Sequence, residues 1–129
     1  MRVYNKWHSM IKKELKKMNL THPQFVVLAS LAYLLQNGNE ITQIMISKLA
    51  GIDVMTVSQI LNLLEKNNLV KRKEHSKDTR AKAVILNKKG EEILQKAVPL
   101  VEQIDEIFFE KLDTDEEQFK HFLARLNEE

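Results

Sequence analysis

The stretch EHSKDTRAKAVIL, residues 74–86, sets a lone aspartate, Asp78, between cations and two positions before Arg80. On a strand or loop edge, residues two apart point to the same side, so the Asp78 carboxylate can hold the Arg80 guanidinium in one direction. The chemistry this suits is nucleic-acid recognition. A guanidinium oriented in advance loses less freedom on entering the narrow, electronegative minor groove of DNA. The competing reading is a surface ion pair in a hairpin turn, worth about 0–1 kcal/mol and without function. Lys71, Lys73, Lys77 and Lys82 around the pair weigh against it.

A second set of recognition groups lies upstream. Val57, Ile60, Leu61 and Leu64 follow i, i+3, i+4, i+7 spacing, which occupies one face of a helix with packing. The other faces present Thr56, Ser58, Gln59 and Asn62, short or amide side chains that address base edges or phosphates. Before this helix, Thr42 opens a short helix to Ala50, Gly51 breaks it, and Asp53 is placed to cap the longer one, which continues to about Asn67. Ser47, Gly51 and Val57 have the spacing a helix-turn-helix asks for: a small residue at the crossing, glycine in the turn, a branched apolar residue beneath. A plain helical hairpin with a polar outer face is the alternative. The next segment of chain decides between them, because LVKRKEH and AKAVILN read as two strands joined by SKDTR. A helix-turn-helix followed by a basic two-stranded ribbon is the order of a winged helix, whose second helix enters the major groove while the wing reaches the neighbouring backbone or minor groove.

Other chemistries find no footing. The chain has no cysteine, which removes disulfides, thiolate catalysis and cysteine-ligated zinc. Its histidines, at 8, 22, 75 and 121, form no helical pair at i, i+4, so no metal site is expected. No Ser-His-Asp order, phosphate loop or paired-carboxylate motif stands out, and the expectation is no catalytic residue, no cofactor and no enzyme. Charge is lopsided: residues 1–40 carry +4, residues 41–90 +6 and residues 91–129 −8, within a net +2 over 129 residues. A basic middle suits phosphate and an acidic tail should point away from it, although both could be ordinary solvated faces.

The elements that must position these groups can be read from the same sequence. Val3, Trp7, Ile11, Leu15 and Met18 give an amphipathic first helix with lysines opposite. LTHPQF starts a second, with Thr21 as N-cap, Pro23 in the first turn and Gln24 completing a capping box, and this helix runs to about Gln36. After the ribbon, Asn87 is expected to cap a helix to about Lys111 that kinks at Pro99, and Thr114 with Glu117 to box a last one. The longest apolar run, FVVLASLAYLL at residues 25–35, is far short of the roughly 18 residues a spanning helix needs and reads as buried. With no charged start, apolar centre and cleavage site at the N-terminus, the expectation is a cytoplasmic protein without a membrane segment.

The stretches HPQFVVLASL, ITQIMISKLAGIDVMTVSQILNLLEKNNLVKR, DTR and VILNKKGEEIL, within residues 21–94, resemble the MarR family of winged-helix transcription regulators. The resemblance implies a mainly α fold with a small β-hairpin wing: a winged helix-turn-helix over 21–98, with helices in 1–20 and 99–129 interlocking as a dimerisation region. It implies a homodimer on a palindromic double-stranded DNA operator, often with a pocket for a small-molecule effector between the dimer helices and the lobes; a repressor is the expected role, since occupying a promoter palindrome blocks polymerase. By position, Thr42 and Gln43 would meet phosphate at a helix N-terminus. Thr56, Ser58 and Gln59 would face the major groove, with Lys73 and Lys77 on the wing. Arg80 would enter the minor groove with Asp78 supporting it. Trp7, His8, Phe25 and Tyr33 are candidates for lining an effector pocket, although aromatics at helical spacing more often form core. Three features depart from the family pattern. Gln59, Asn62 and Leu63 stand where the family carries Arg and then Asp-Arg, so base preference should differ; Asn68 replaces the usual glycine, which the left-handed conformation tolerates; and the first helix starts almost at Met1, which predicts a shorter dimer arm. The alternative function is a winged-helix module that binds protein without DNA.

Overall fold

The computed structural model describes residues 2–38, 40–77 and 81–127. Helix α1 (Arg2–Lys16) buries Ile11 and Leu15 and turns its lysines outward. It lies along helix α5 (Lys88–Phe109). Helix α2 (His22–Leu35) starts as its residues dictate: the Gln24 N–H donates to Thr21 Oγ1 at 3.2 Å and the Thr21 N–H to Gln24 Oε1 at 3.0 Å, with Pro23 in the first turn. Being apolar around most of its circumference, α2 becomes the central helix, with Val27, Leu28 and Leu31 fully buried.

The helix-turn-helix consists of α3 (Gln43–Ala50) and α4 (Val54–Lys66). Gly51 closes α3 in the left-handed conformation, φ 71°, where a side chain is disfavoured, and its N–H donates to Ser47 O at 3.0 Å. The Ser47 hydroxyl donates to Ile52 O at 2.5 Å, so the small residue at the crossing also ties the turn. Strands β1 (Val70–Glu74) and β2 (Lys82–Leu86) pair antiparallel, Val70 opposite Leu86 and Glu74 opposite Lys82. A bridge from Val84 N to Ile41 O, 2.7 Å, stitches this ribbon to the segment before α3. Asn68 takes φ 65° at the turn into β1, as its side-chain type allows.

The architecture is the mainly helical winged helix-turn-helix that the sequence predicted, with differences at three ends. Asn87 stands at the N-cap position of α5 without capping it. Its Nδ2 donates instead to Asn68 O at 3.2 Å and Val70 O at 3.4 Å, carbonyls of the turn beside it. Helix α5, with Pro99 inside it, runs from Lys88 to Phe109 and ends short of the expected Lys111. A 3-10 turn (Glu110–Asp115) then leads into α6 (Glu116–Leu126), with Asp115 at the N-cap position and no side-chain cap. Gly90 owes its identity to packing: a Cβ there would lie 2.2 Å from Leu69 O, so only glycine lets α5 approach the start of β1. One buried core runs from α1 through α2, α3 and α4 to Leu94, Ala97 and Ile104 of α5. Among the described residues no single helix is long and apolar enough to cross a membrane.

Candidate nucleic-acid interface

Helix α4 is capped before it is packed. Asp53 accepts the Thr56 N–H at 3.0 Å and the Thr56 hydroxyl at 2.6 Å, bonds that hold its carboxyl below the usual carboxylate range. Val57, Ile60, Leu61 and Leu64 are buried as their spacing requires, leaving Met55, Gln59 and Asn62 exposed and Ser58 half-buried. Thr56 commits its hydroxyl proton to the cap. Of the residues expected at the major groove, Gln59 is the most openly presented.

A residue that sequence reasoning passed over joins this helix to the wing. Arg72, on β1, donates from Nη2 to Glu65 Oε1 at 3.0 Å and to Asn62 Oδ1 at 2.5 Å, and from Nη1 to Gln43 Oε1 at 3.3 Å. Its backbone N–H donates to Glu65 Oε2 at 3.1 Å. Only 16% of the Arg72 side chain is exposed. The guanidinium fork thus spans α3, α4 and β1, and it holds the Glu65 carboxyl below its ordinary value. A signal was present: Asn62 and Glu65 are i, i+3 on the outer face of α4 and can share one cation.

A second tie anchors the wing from the other side. Glu40, just before α3, accepts the Ser76 hydroxyl through Oε1 and the Ser76 N–H through Oε2 at 3.2 Å, while His75 Nε2 lies 2.9 Å from Oε2. The Ser76 bond is the main cause of the lowered Glu40 carboxyl, with His75 and Lys77 adding attraction. The Lys77 N–H donates to His75 Nδ1 at 3.1 Å. Lys71, Lys73, Lys77 and Lys82 are exposed along the ribbon. Asp78 and Arg80 lie outside the described residues.

Thr42 is the N-cap of α3, its Oγ1 accepting the Met45 N–H at 3.3 Å. Gln43 gives its oxygen to Arg72, which leaves its amide NH₂ as the group that can donate outward. Both border a cleft of about 700 Å³ that Val54, Arg72 and Lys82 also line. The cleft therefore sits where the helix-turn-helix meets the wing.

The four effector-pocket candidates separate. Trp7 and His8 gather with Tyr4 and His22, the Tyr4 and His8 rings stacked at 5.3 Å and the His8 and His22 rings at 5.2 Å. Trp7 Nε1 donates to Asp105 Oδ1 at 2.8 Å, linking α1 to α5. Phe25 belongs to the buried core and Tyr33 is exposed on α2.

Comparison with known proteins places this geometry. A family model described as ArnR1-like, winged-helix domain matches residues 16–104. The chain belongs to the ArnR1-like winged-helix family. This winged helix is 34% identical over 103 residues, 80% of its own length and 70% of the relative's, to the uncharacterized HTH-type transcriptional regulator YdcH of Bacillus subtilis (strain 168). A mutant MarR from E. coli complexed with operator DNA superposes with a TM-score of 0.87 at 22% identity, covering 98% of this chain and 89% of that one. BpsR of Bordetella bronchiseptica, solved in work on regulation of its DNA binding by 6-hydroxynicotinic acid, superposes with a TM-score of 0.83 at 27% identity, covering 96% and 86%. The likeness to the MarR family seen in residues 21–94 thus extends to the terminal helices, and this ArnR1-like winged helix is a transcription regulator of MarR architecture.

Proposed function

We propose that the protein binds a palindromic DNA operator as a homodimer and represses transcription by occupying the promoter, under control of a small effector. The observation that carries this is Arg72, which ties the exposed polar face of α4 and the lysine-bearing wing into one surface. On that surface Thr56, Ser58 and Gln59 address the major groove, while Thr42 and Gln43 meet phosphate at the start of α3. Lys73 and Lys77 neutralise backbone phosphates, and Arg80, steadied by Asp78, enters the minor groove. Residues 1–20 and 99–129 form the dimerisation region around the 21–98 lobe, since Val3, Tyr4, Ile107, Phe122 and Leu126 leave apolar surface open to a second copy. Trp7 and His8 at the junction of α1, α2 and α5 are the effector-facing residues of this reading, to which the ligand-regulated BpsR lends support. Such a protein works in the cytoplasm, where its operator is. The rival, a protein-binding module without DNA, would be favoured by a buried wing or by a partner surface made of Leu63 and the acidic tail; the exposed lysines of the ribbon speak against the first.

The test is selection of short duplexes from a random pool by the purified protein. An inverted repeat with half-sites about one turn, roughly 34 Å, apart is the expected product. Arg80→Ala should weaken binding to that repeat by about 1–3 kcal/mol with circular dichroism unchanged. Unaltered affinity would remove Arg80 from the interface.

A further inference from the structure

The bases that α4 can read are constrained by what its exposed face carries and by what is already engaged. From Val54 to Glu65 the helix has no lysine or arginine. It therefore lacks the bidentate partner for guanine O6 and N7 that is the commonest specific contact in the major groove. The carboxylates able to accept from cytosine N4 are held elsewhere, Asp53 by Thr56 and Glu65 by Arg72. Asn62 gives its carbonyl oxygen to Arg72 at 2.5 Å, and a two-bond contact with adenine needs that oxygen together with the amide. Gln59 is the amide left free: it is exposed, and among the described residues nothing holds its oxygen or its NH₂. One turn before it stands Met55, 73% exposed, an apolar side chain at the end of the helix that faces base edges. The apolar feature of the major groove is the C5-methyl group of thymine.

We propose that each half-site has an A·T core, in which Gln59 pairs with an adenine and Met55 packs on a thymine methyl group. The spacing agrees: residues four apart are about 6 Å apart along a helix, close to two base-pair steps of about 3.4 Å. The proposal rests on the operator-binding function above and adds to it the half-site composition and a specificity role for Met55.

The test starts from the duplex recovered by selection, remade with uracil replacing each thymine of the half-site in turn. The exchange keeps base pairing and removes one methyl group. At one position it should weaken binding about four-fold, the factor for one buried methyl, and Met55→Ala should bind the thymine and uracil duplexes alike. Gln59→Ala should lose at least about five-fold of the preference for A·T at its own position. Both side chains are exposed, so both variants keep the fold, which circular dichroism verifies. An inverted repeat with G·C pairs under α4, or a Met55→Ala protein that keeps its thymine preference, overturns this inference while operator binding stands. Recovery of no repeat at all overturns the operator-binding reading and this inference with it.

Discussion

Trp7 is the single tryptophan of the chain, and its surroundings make it a reporter. Its indole N–H is fixed on Asp105 and its ring meets His22 edge-on, 6.0 Å between centroids. Burial pushes the His22 imidazole below its ordinary 6.5, the neighbouring His8 pushes the same way, and Asp105 opposes them. The neutral form is therefore the one the fold favours. Its contribution to stability is complete above 6.5 and lost as pH falls through the lower folded value. Acidification from about pH 7.5 to about pH 5 should quench Trp7 fluorescence as the imidazolium forms, with a midpoint below 6.5 that His22→Gln abolishes. A transition centred above 6.5 would mean that burial does not control this ring. The aromatic residues near the first helix were visible as a type, but His22 joined them only because the start of α2 folds back over α1.

At the scale of elements, the wing is held by two carboxylates, Glu65 through Arg72 and Glu40 through Ser76 and His75. Arg72→Ala should weaken operator binding about five- to tenfold while far-UV circular dichroism stays unchanged, because it frees the angle between wing and recognition helix rather than removing a DNA contact. Hydrogen exchange in β1 and β2 should quicken in the same variant. Arg72→Lys should not restore affinity, since a point charge cannot fork to Glu65, Asn62 and Gln43 at once; full rescue by lysine would count against the strut. The lowered carboxyls set the pH dependence. Both folded values lie below the ordinary 4.5, so the ties are complete above it and are lost only as pH falls through those lower values. The Glu65–Arg72 tie should be flat around neutrality, and the β1 amides should lose protection from exchange only in acid below about 4.5. Loss of protection already near neutral pH would contradict this assignment.

For the whole molecule, the terminal helices leave large apolar side chains exposed: Phe119, Phe122, Leu123 and Leu126 of α6, together with Ile107 of α5. Light scattering after size exclusion should give a dimer. Phe122→Asp, placing a charge where a partner helix would lie, should shift it to monomer and abolish tight binding to the inverted repeat while each lobe keeps its helix content. A Phe122→Asp protein that remains dimeric would exclude this face. Affinity should also fall with salt, log K against log salt having a slope of about −0.9 for each phosphate neutralised, and the slope should roughly halve in the monomer.

Much of this was encoded in residues close together along the chain. The caps at Thr21, Thr42 and Asp53, the left-handed Gly51 and Asn68, the burial of Val57, Ile60, Leu61 and Leu64, and the paired strands are all set by side-chain type and spacing within a few residues, where local sterics and hydrogen bonding decide. The fold class and the polar faces of the candidate interface were readable for that reason. Other features depended on distances that no local pattern encodes. Arg72 meets Gln43 from 29 positions away and Ser76 meets Glu40 from 36. Asn87 leaves the helix it was placed to cap because the turn at Asn68 offers nearer carbonyls, and Gly90 is required by a backbone oxygen that arrives from the residue before β1. Each of these is settled by how α4, the ribbon and α5 lie against one another, and that arrangement exists only once the shared core has formed.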